Sequence, residues 1–304
     1  MRSFVHRLSL FLVCAWLAAN FAAGDPAHAR NLPPYGTQAL IRLSSNRPAV
    51  KIVVNGQGPF LFLIDTATSH TVFTPALRER LALGPTPGPP VEVVTAAGSA
   101  RSHYYLIAET AAAGVIVEGM HAVVLPLPPE IGVVGALGAD FLSNFVVDLD
   151  LLAQTITLYP NNADVRVPGH RRIKGTLNGH GFIVVPAMVE NISTSAVFDS
   201  GAAFTVGNAR LAVAAKRYGI PTARLVESMI TDAVRQRQFA EAFNFAKIGL
   251  GPASWWDARV LIADMRVFDQ IGLERKPAIF IGMDLMSGRR IVIDYGSASL
   301  WLAP

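Results

Sequence analysis

The sequence is almost without cysteine. Its one copy, Cys14, lies inside the apolar run LSLFLVCAWLAANFAA near the N-terminus, so neither disulfides nor thiolate chemistry are available to the rest of the chain. Metal-ligand spacing is missing too. The seven histidines form no H-x-x-x-H pair with a third ligand, and no glycine-rich phosphate loop follows a strand. Basic clusters are few. The formal charge is +4 and the pI about 9.4, but the densest groups are only Arg171, Arg172 and Lys174, and the pair Arg289 and Arg290. Neither is interleaved with aromatics, so the charge reads as solvated surface and nucleic-acid binding is not expected. Beyond the N-terminal run, no segment is long and apolar enough to cross a membrane.

What is present is a globular composition, 51% hydrophobic and 16% charged over 304 residues. That suffices for one large domain or two of about 130 to 150 residues. At the N-terminus, Arg2, His6 and Arg7 precede the apolar run, and AHA at 27–29 fits a small-x-small cleavage site. Residues 1–29 therefore read as a secretory signal peptide, with an uncut membrane anchor as the rival. The expected location is the bacterial periplasm or the medium.

An internal repeat organises the remainder. GADFLSNFVVDLDLLAQTITL at 138–158 aligns without a gap to GMDLMSGRRIVIDYGSASLWL at 282–302. Upstream, FLFLIDTAT faces SAVFDSGAA, which sets Asp65 opposite Asp199. The spacing from acid to glycine is 73 residues between Asp65 and Gly138 and 83 between Asp199 and Gly282. Two related lobes are expected, 30–165 and 166–304, divided in the Pro-, Gly- and charge-rich stretch 160–175. Each half reads as short strands with one short helix. Thr74 and Asn208 are the N-cap residues, Pro75 suits the first helical turn, and Gly219 stops the second helix. VEVVTAAGSARSHYYLIAE reads as a hairpin about Gly98, and its counterpart in the second half lies near Thr231.

A lone Asp-Thr at a strand end is an ordinary turn carboxylate. Here the acid recurs, and each copy is followed by its own apolar-apolar-Gly patch. Asp65-Thr66-Ala67 with ALGADFL, and Asp199-Ser200-Gly201-Ala202 with FIGMDLM, resemble the two halves of an aspartic protease, most nearly the retropepsin-like type of exported bacterial proteins. The resemblance covers roughly residues 38–302. It implies a mostly β, bilobal acid-protease fold of two pseudo-symmetric β-barrel lobes, with one catalytic aspartate, Asp65 or Asp199, from each lobe.

By the same resemblance, Thr66 and Ser200 bond across the lobes. Ala67 and Gly201 sit beside the acids, and the patches ending in Gly138 and Gly282 pack behind the loops. A flap over the cleft is expected at 95–105, with Thr95, Gly98 and Tyr104 as its candidate residues. Ala67 departs from the glycine that the family carries. The implied activity is hydrolysis of a polypeptide by water held on the dyad, without metal or cofactor, and one chain supplies both acids, so a monomer suffices. The alternative is a peptide-binding module that uses the same cleft after losing turnover.

Other groupings carry less. Ser69, His70 and Asp65 have the residue types of a hydrolase triad but are nearly adjacent in a strand-loop, where side chains alternate faces. Asp140 and Asp284 read as turn caps, and Asp150 and Asp294 as strand-end acids. Trp255 and Trp256 fit either core or cleft wall.

Overall fold

The two copies of the sequence repeat lie side by side. Strand Phe145–Asp150 pairs antiparallel with Arg290–Asp294, and Asp148 faces Val292, its own counterpart in the repeat. A local two-fold axis therefore passes between them. Around this pair a six-stranded sheet is completed by Thr155–Pro160 and Gly36–Ala39 on one side, and by Ser299–Leu302 and Arg171–Lys174 on the other. Both halves of the chain thus share one sheet at the base. The computed structural model describes residues 32–96, 98–220, 227–231 and 237–304. The segment read as a signal peptide, 1–29, lies outside them.

Above the shared sheet the chain is mostly β and forms two closed barrels of the bilobal aspartic-protease type. In the first lobe the hairpin Pro48–Val54 and Gln57–Ile64 turns through Asn55 and Gly56, both at positive φ, the conformation of a tight hairpin turn. The patch strand Gly135–Leu137 then inserts between Gln57–Ile64, to which it is parallel, and Val72–Phe73, to which it is antiparallel. Pairing of Val53 with Ala111 closes the barrel. The second lobe repeats the arrangement. Ala278–Ile281 lies parallel to Ile192–Phe198 and antiparallel to Val206–Gly207, and Val189 pairs with Ile248 to close the sheet.

The apolar runs that looked continuous in sequence are buried on both faces. Gly135–Leu137 and Ala278–Ile281 are buried throughout, as expected for strands covered on both sides. Phe62 and Phe73 meet edge-on, 5.5 Å apart, in the first core. The helices start where local chemistry starts them. Thr74 accepts from the Leu77 amide ahead of Pro75–Arg80, and Asn208 from the Leu211 amide ahead of Ala209–Arg217. Gly219, at φ +63°, ends the second. Two four-residue helices, Ala139–Leu142 and Met283–Met286, follow the patch glycines directly.

One charge pair ties the lobes at the shared sheet. Asp148 is buried, and the Arg290 guanidinium donates to it from Nε at 2.9 Å and from Nη2 at 2.6 Å. Asp150 and Asp294 hold turns, accepting from the amides of Leu152 and Ala153, and of Ser297. Trp255 donates from its ring nitrogen to the Leu285 carbonyl, and Trp256 is exposed under Lys247. Among the described residues no helix is long and apolar enough to cross a membrane, which says nothing of a β-barrel.

Candidate active site

Each acid stands where its strand ends. The Asp65 amide donates to the Leu137 carbonyl, and the Asp199 amide to that of Ile281. The patch strand of each lobe thereby fixes the height of the acid beside it. The next residue on each side crosses to the other lobe. Thr66 Oγ1 donates to the Phe198 carbonyl at 2.8 Å and accepts from the Ser200 amide at 3.1 Å. Ser200 Oγ donates to the Ile64 carbonyl at 2.7 Å and accepts from the Thr66 amide at 3.1 Å. Four reciprocal bonds, all buried, lock the two acid loops together. Removing one hydroxyl strands two buried backbone groups, each worth about 1–3 kcal/mol. Ser200→Ala is accordingly expected to cost about 3 kcal/mol in urea unfolding. Ser200→Thr, which keeps the hydroxyl, should recover most of it.

The crossing sets the acids against each other. A Cβ at Gly201 would lie 2.5 Å from Asp65 Oδ2, so the Asp65 carboxylate rests on the second-lobe loop. Asp65 Oδ1 accepts from the Ala67 amide at 3.1 Å. Asp199 Oδ1 accepts from those of Gly201 and Ala202, at 2.9 and 3.0 Å. Burial pushes both carboxyls up, Asp65 to about 6 and Asp199 to about 8, and the Asp65 charge adds to the rise at Asp199. The backbone donors and the Arg47 charge oppose it. Two carboxyls whose charges repel do not both ionise readily, which favours a single proton on the pair.

The patch glycines are required by the loops that pass over them. A Cβ at Gly138 would meet the His70 backbone at 2.8 Å, and one at Gly282 the Phe204 backbone at 2.6 Å. Asp140 accepts from Thr71 through both amide and hydroxyl, each at 2.8 Å, and Asp284 does the same with Thr205 at 3.0 and 2.7 Å. These acids clamp the loop after each dyad residue to the helix behind it. Burial pushes Asp140 up to about 6, but its oxygens are occupied by the loop.

Ala67 has a φ outside the left-handed region, so its Cβ brings no backbone strain. The residue packs against the second-lobe cluster that includes Phe182, Val197 and Val206. The hairpin Val91–Val94 and Ser99–Ser102 leans the same way. The Thr95 amide bonds the Gly98 carbonyl at its turn, Ala96 packs into that same second-lobe cluster, and Arg266 Nη1 reaches Ser99 Oγ at 3.5 Å. Tyr104 does not belong to the hairpin. It begins the next strand, with its ring on His70 and its hydroxyl 3.4 Å from His70 Nε2. Ser69 Oγ meets His70 Nδ1 at 2.9 Å. His70 is therefore engaged on both nitrogens away from Asp65, and its pKa is lowered by burial and by His121 and His180. Strand Glu227–Thr231 does pair with Arg237–Leu250, but the turn expected beyond Thr231 lies outside the described residues.

Two groups near the dyad gave no sequence signal. Tyr295 is buried, its hydroxyl has no hydrogen-bond partner, and with Thr66 and Phe198 it lines a cavity of about 10 Å³. Burial and the Asp65 charge push its phenol up. Arg47 interacts with both dyad acids through its charge. Its position follows from the hairpin register, which brings the residue before Pro48 towards Asp65.

Residues 50–141 match the family model described as aspartyl protease. The match runs from strand Pro48–Val54 through Asp65 and the hairpin to the helix after Gly138. No curated protein matches the chain. The first lobe thus carries an aspartyl protease family domain within a bilobal aspartic-protease fold, which supports a function of protease type.

Proposed function

We propose that the chain is an exported aspartic endopeptidase that hydrolyses peptide bonds with water held by Asp65 and Asp199. The reading is carried by the reciprocal Thr66–Ser200 bonds, which hold the Asp65 carboxylate against Gly201 and both acids in a half-buried, proton-sharing setting. With one proton on the pair, the ionised carboxyl takes a proton from water as its oxygen attacks the carbonyl carbon. The protonated carboxyl gives its proton to the carbonyl oxygen. Collapse of the tetrahedral intermediate returns that proton to the dyad, and the leaving nitrogen takes the one drawn from water. The hairpin at 91–102, already seated on the second lobe through Ala96, would lie over a bound strand and exclude water.

That seating also favours the second reading. A closed hairpin narrows the cleft, as would suit a module that holds an extended peptide without cutting it. Incubation of an unfolded protein with the chain from residue 30, between acid and neutral pH, separates the two. Cleavage that Asp65→Asn and Asp199→Asn each abolish supports the peptidase. Peptide binding by a folded chain that cuts nothing supports the module. Export predicts a mature N-terminus at Arg30 in the periplasm or medium of a bacterial host; an intact N-terminus in the membrane fraction would mean an anchored form.

A further inference from the structure

Arg47 is where a chemically specific feature remains unexplained. It follows the turn Ser44–Asn46 and opens strand Pro48–Val54. That strand pairs with Gln57–Ile64 in a register that sets Ala49 against Leu63. Continued two residues, the register sets Arg47 against Asp65. From the other side, the turn Ser44–Asn46 packs on the second-lobe helix Met283–Met286, directly behind Gly282. Arg47 therefore stands at the seam of the lobes, at the edge of the dyad.

Its chemistry is incomplete there. Arg47 Nε is buried with no hydrogen-bond partner. The residue interacts with Asp65 and Asp199 through space, with no hydrogen bond to either, and one oxygen of each carboxylate, Oδ1, accepts from the backbone amides of its own loop. The contrast within the molecule is direct. Arg290, another interlobe arginine, has its fork filled by Asp148. A guanidinium presents planar donors suited to a carboxylate, and leaving one of them desolvated and unpaired is costly. The residue as a whole is half-buried and only Nε is shut off from solvent, so a ligand can reach the terminal nitrogens beside it.

We propose that Arg47 selects substrates with an acidic side chain close to the scissile bond, the substrate carboxylate completing its guanidinium fork. The proposal rests on the cleft being a peptide-binding cleft and deepens the peptidase reading. With one proton on the dyad, the cleft floor carries one negative charge beside one positive charge. An acidic side chain at Arg47 is then met by an opposite charge rather than by the bare repulsion of two carboxylates.

The test uses a peptide cleaved by the parent protein and its derivatives carrying Glu or Gln, one at a time, at each of the four positions on either side of the scissile bond. At one position or two adjacent ones, Glu is expected to exceed Gln by about tenfold or more in kcat/KM, as for a charge-assisted bond. In Arg47→Gln that ratio should fall to near one, whatever happens to the absolute rate. In Arg47→Glu, a Lys peptide should become the better substrate. Arg47→Lys, which keeps the charge and loses the fork, should give an intermediate ratio.

Equal cleavage of Glu and Gln peptides by the parent at every position overturns the proposal without any variant. So does a Glu preference that Arg47→Gln leaves intact. If the folded parent cuts nothing, the peptidase reading fails, and Arg47 is judged by fluorescence anisotropy of labelled peptides of random sequence, acidic against amide-substituted. Tighter binding of the acidic set, lost in Arg47→Gln, upholds it. Equal binding, or none, overturns it.

Discussion

Asp199→Asn is expected to lower kcat/KM for any cleaved polypeptide by about a thousandfold or more, and to raise the Tm of the same protein at pH 8. The loss follows from the chemistry: an amide neither takes the proton from water nor gives one to the carbonyl, and positioned acid-base groups contribute about 10²–10⁴. The gain follows from burial. An unfolded aspartate titrates near 3.9, whereas Asp199 is raised to about 8 and Asp65 to about 6. The folded state therefore holds protons that the unfolded state has released. That contribution to stability is full below about pH 4 and is lost as the pH rises through the folded values. Asparagine is uncharged throughout and loses nothing. Between pH 4 and 8 the parent should show a falling Tm, and the two Asn variants a flatter profile. Parallel profiles would show that the pair is not a proton-sharing one. The same values predict a bell-shaped rate profile with its maximum between about pH 6 and 8, well above the ordinary carboxylate range, because both one-proton forms of the dyad disappear outside it.

How much of this is written in the sequence depends on the range of the interaction concerned. Thr74 and Asn208 could be read as caps because a cap bonds an amide three residues away. The two-fold relation could be read because a gap-free repeat needs no knowledge of contacts, and the pairing of Asp148 with Val292 is its consequence. The Thr66–Ser200 lattice spans 134 residues, and only the resemblance to a two-lobed family suggested it. Arg47 had neither aid. A single arginine before a strand carries no periodic or compositional signal. It becomes notable only once the hairpin register and the second-lobe helix bring it to the seam. Tyr104 was grouped with the hairpin for a related reason: sequence distance from the hairpin turn did not reveal that a new strand begins at 104, and its ring lies against His70. Nothing local distinguished Trp255, tied to the helix behind Gly282, from its exposed neighbour Trp256.

Gly201→Ala is expected to reduce cleavage by about a hundredfold or more while the protein still folds. The glycine is not needed for an unusual φ; its importance is steric. The added Cβ would lie 2.5 Å from Asp65 Oδ2, 2.6 Å from Cγ and 2.8 Å from Oδ1, inside any permitted contact. The carboxylate cannot simply swing away, because the Ala67 amide holds Oδ1 and the Leu137 carbonyl holds the backbone behind it. Relief must displace the reacting group itself, and an ångström of displacement in a positioned catalytic group costs rate on this scale. The corresponding first-lobe residue behaves differently. Ala67 already carries a Cβ, and the residue packs against the second-lobe cluster that includes Phe182, Val197 and Val206. Ala67→Gly should therefore change kcat/KM by no more than several-fold, and should cost up to about 1 kcal/mol of stability through lost packing and a looser unfolded chain. A large rise in rate on Ala67→Gly would mean that the methyl does obstruct the substrate. A Gly201→Ala protein as active as the parent would mean that the Asp65 carboxylate is not held where catalysis by the pair requires it.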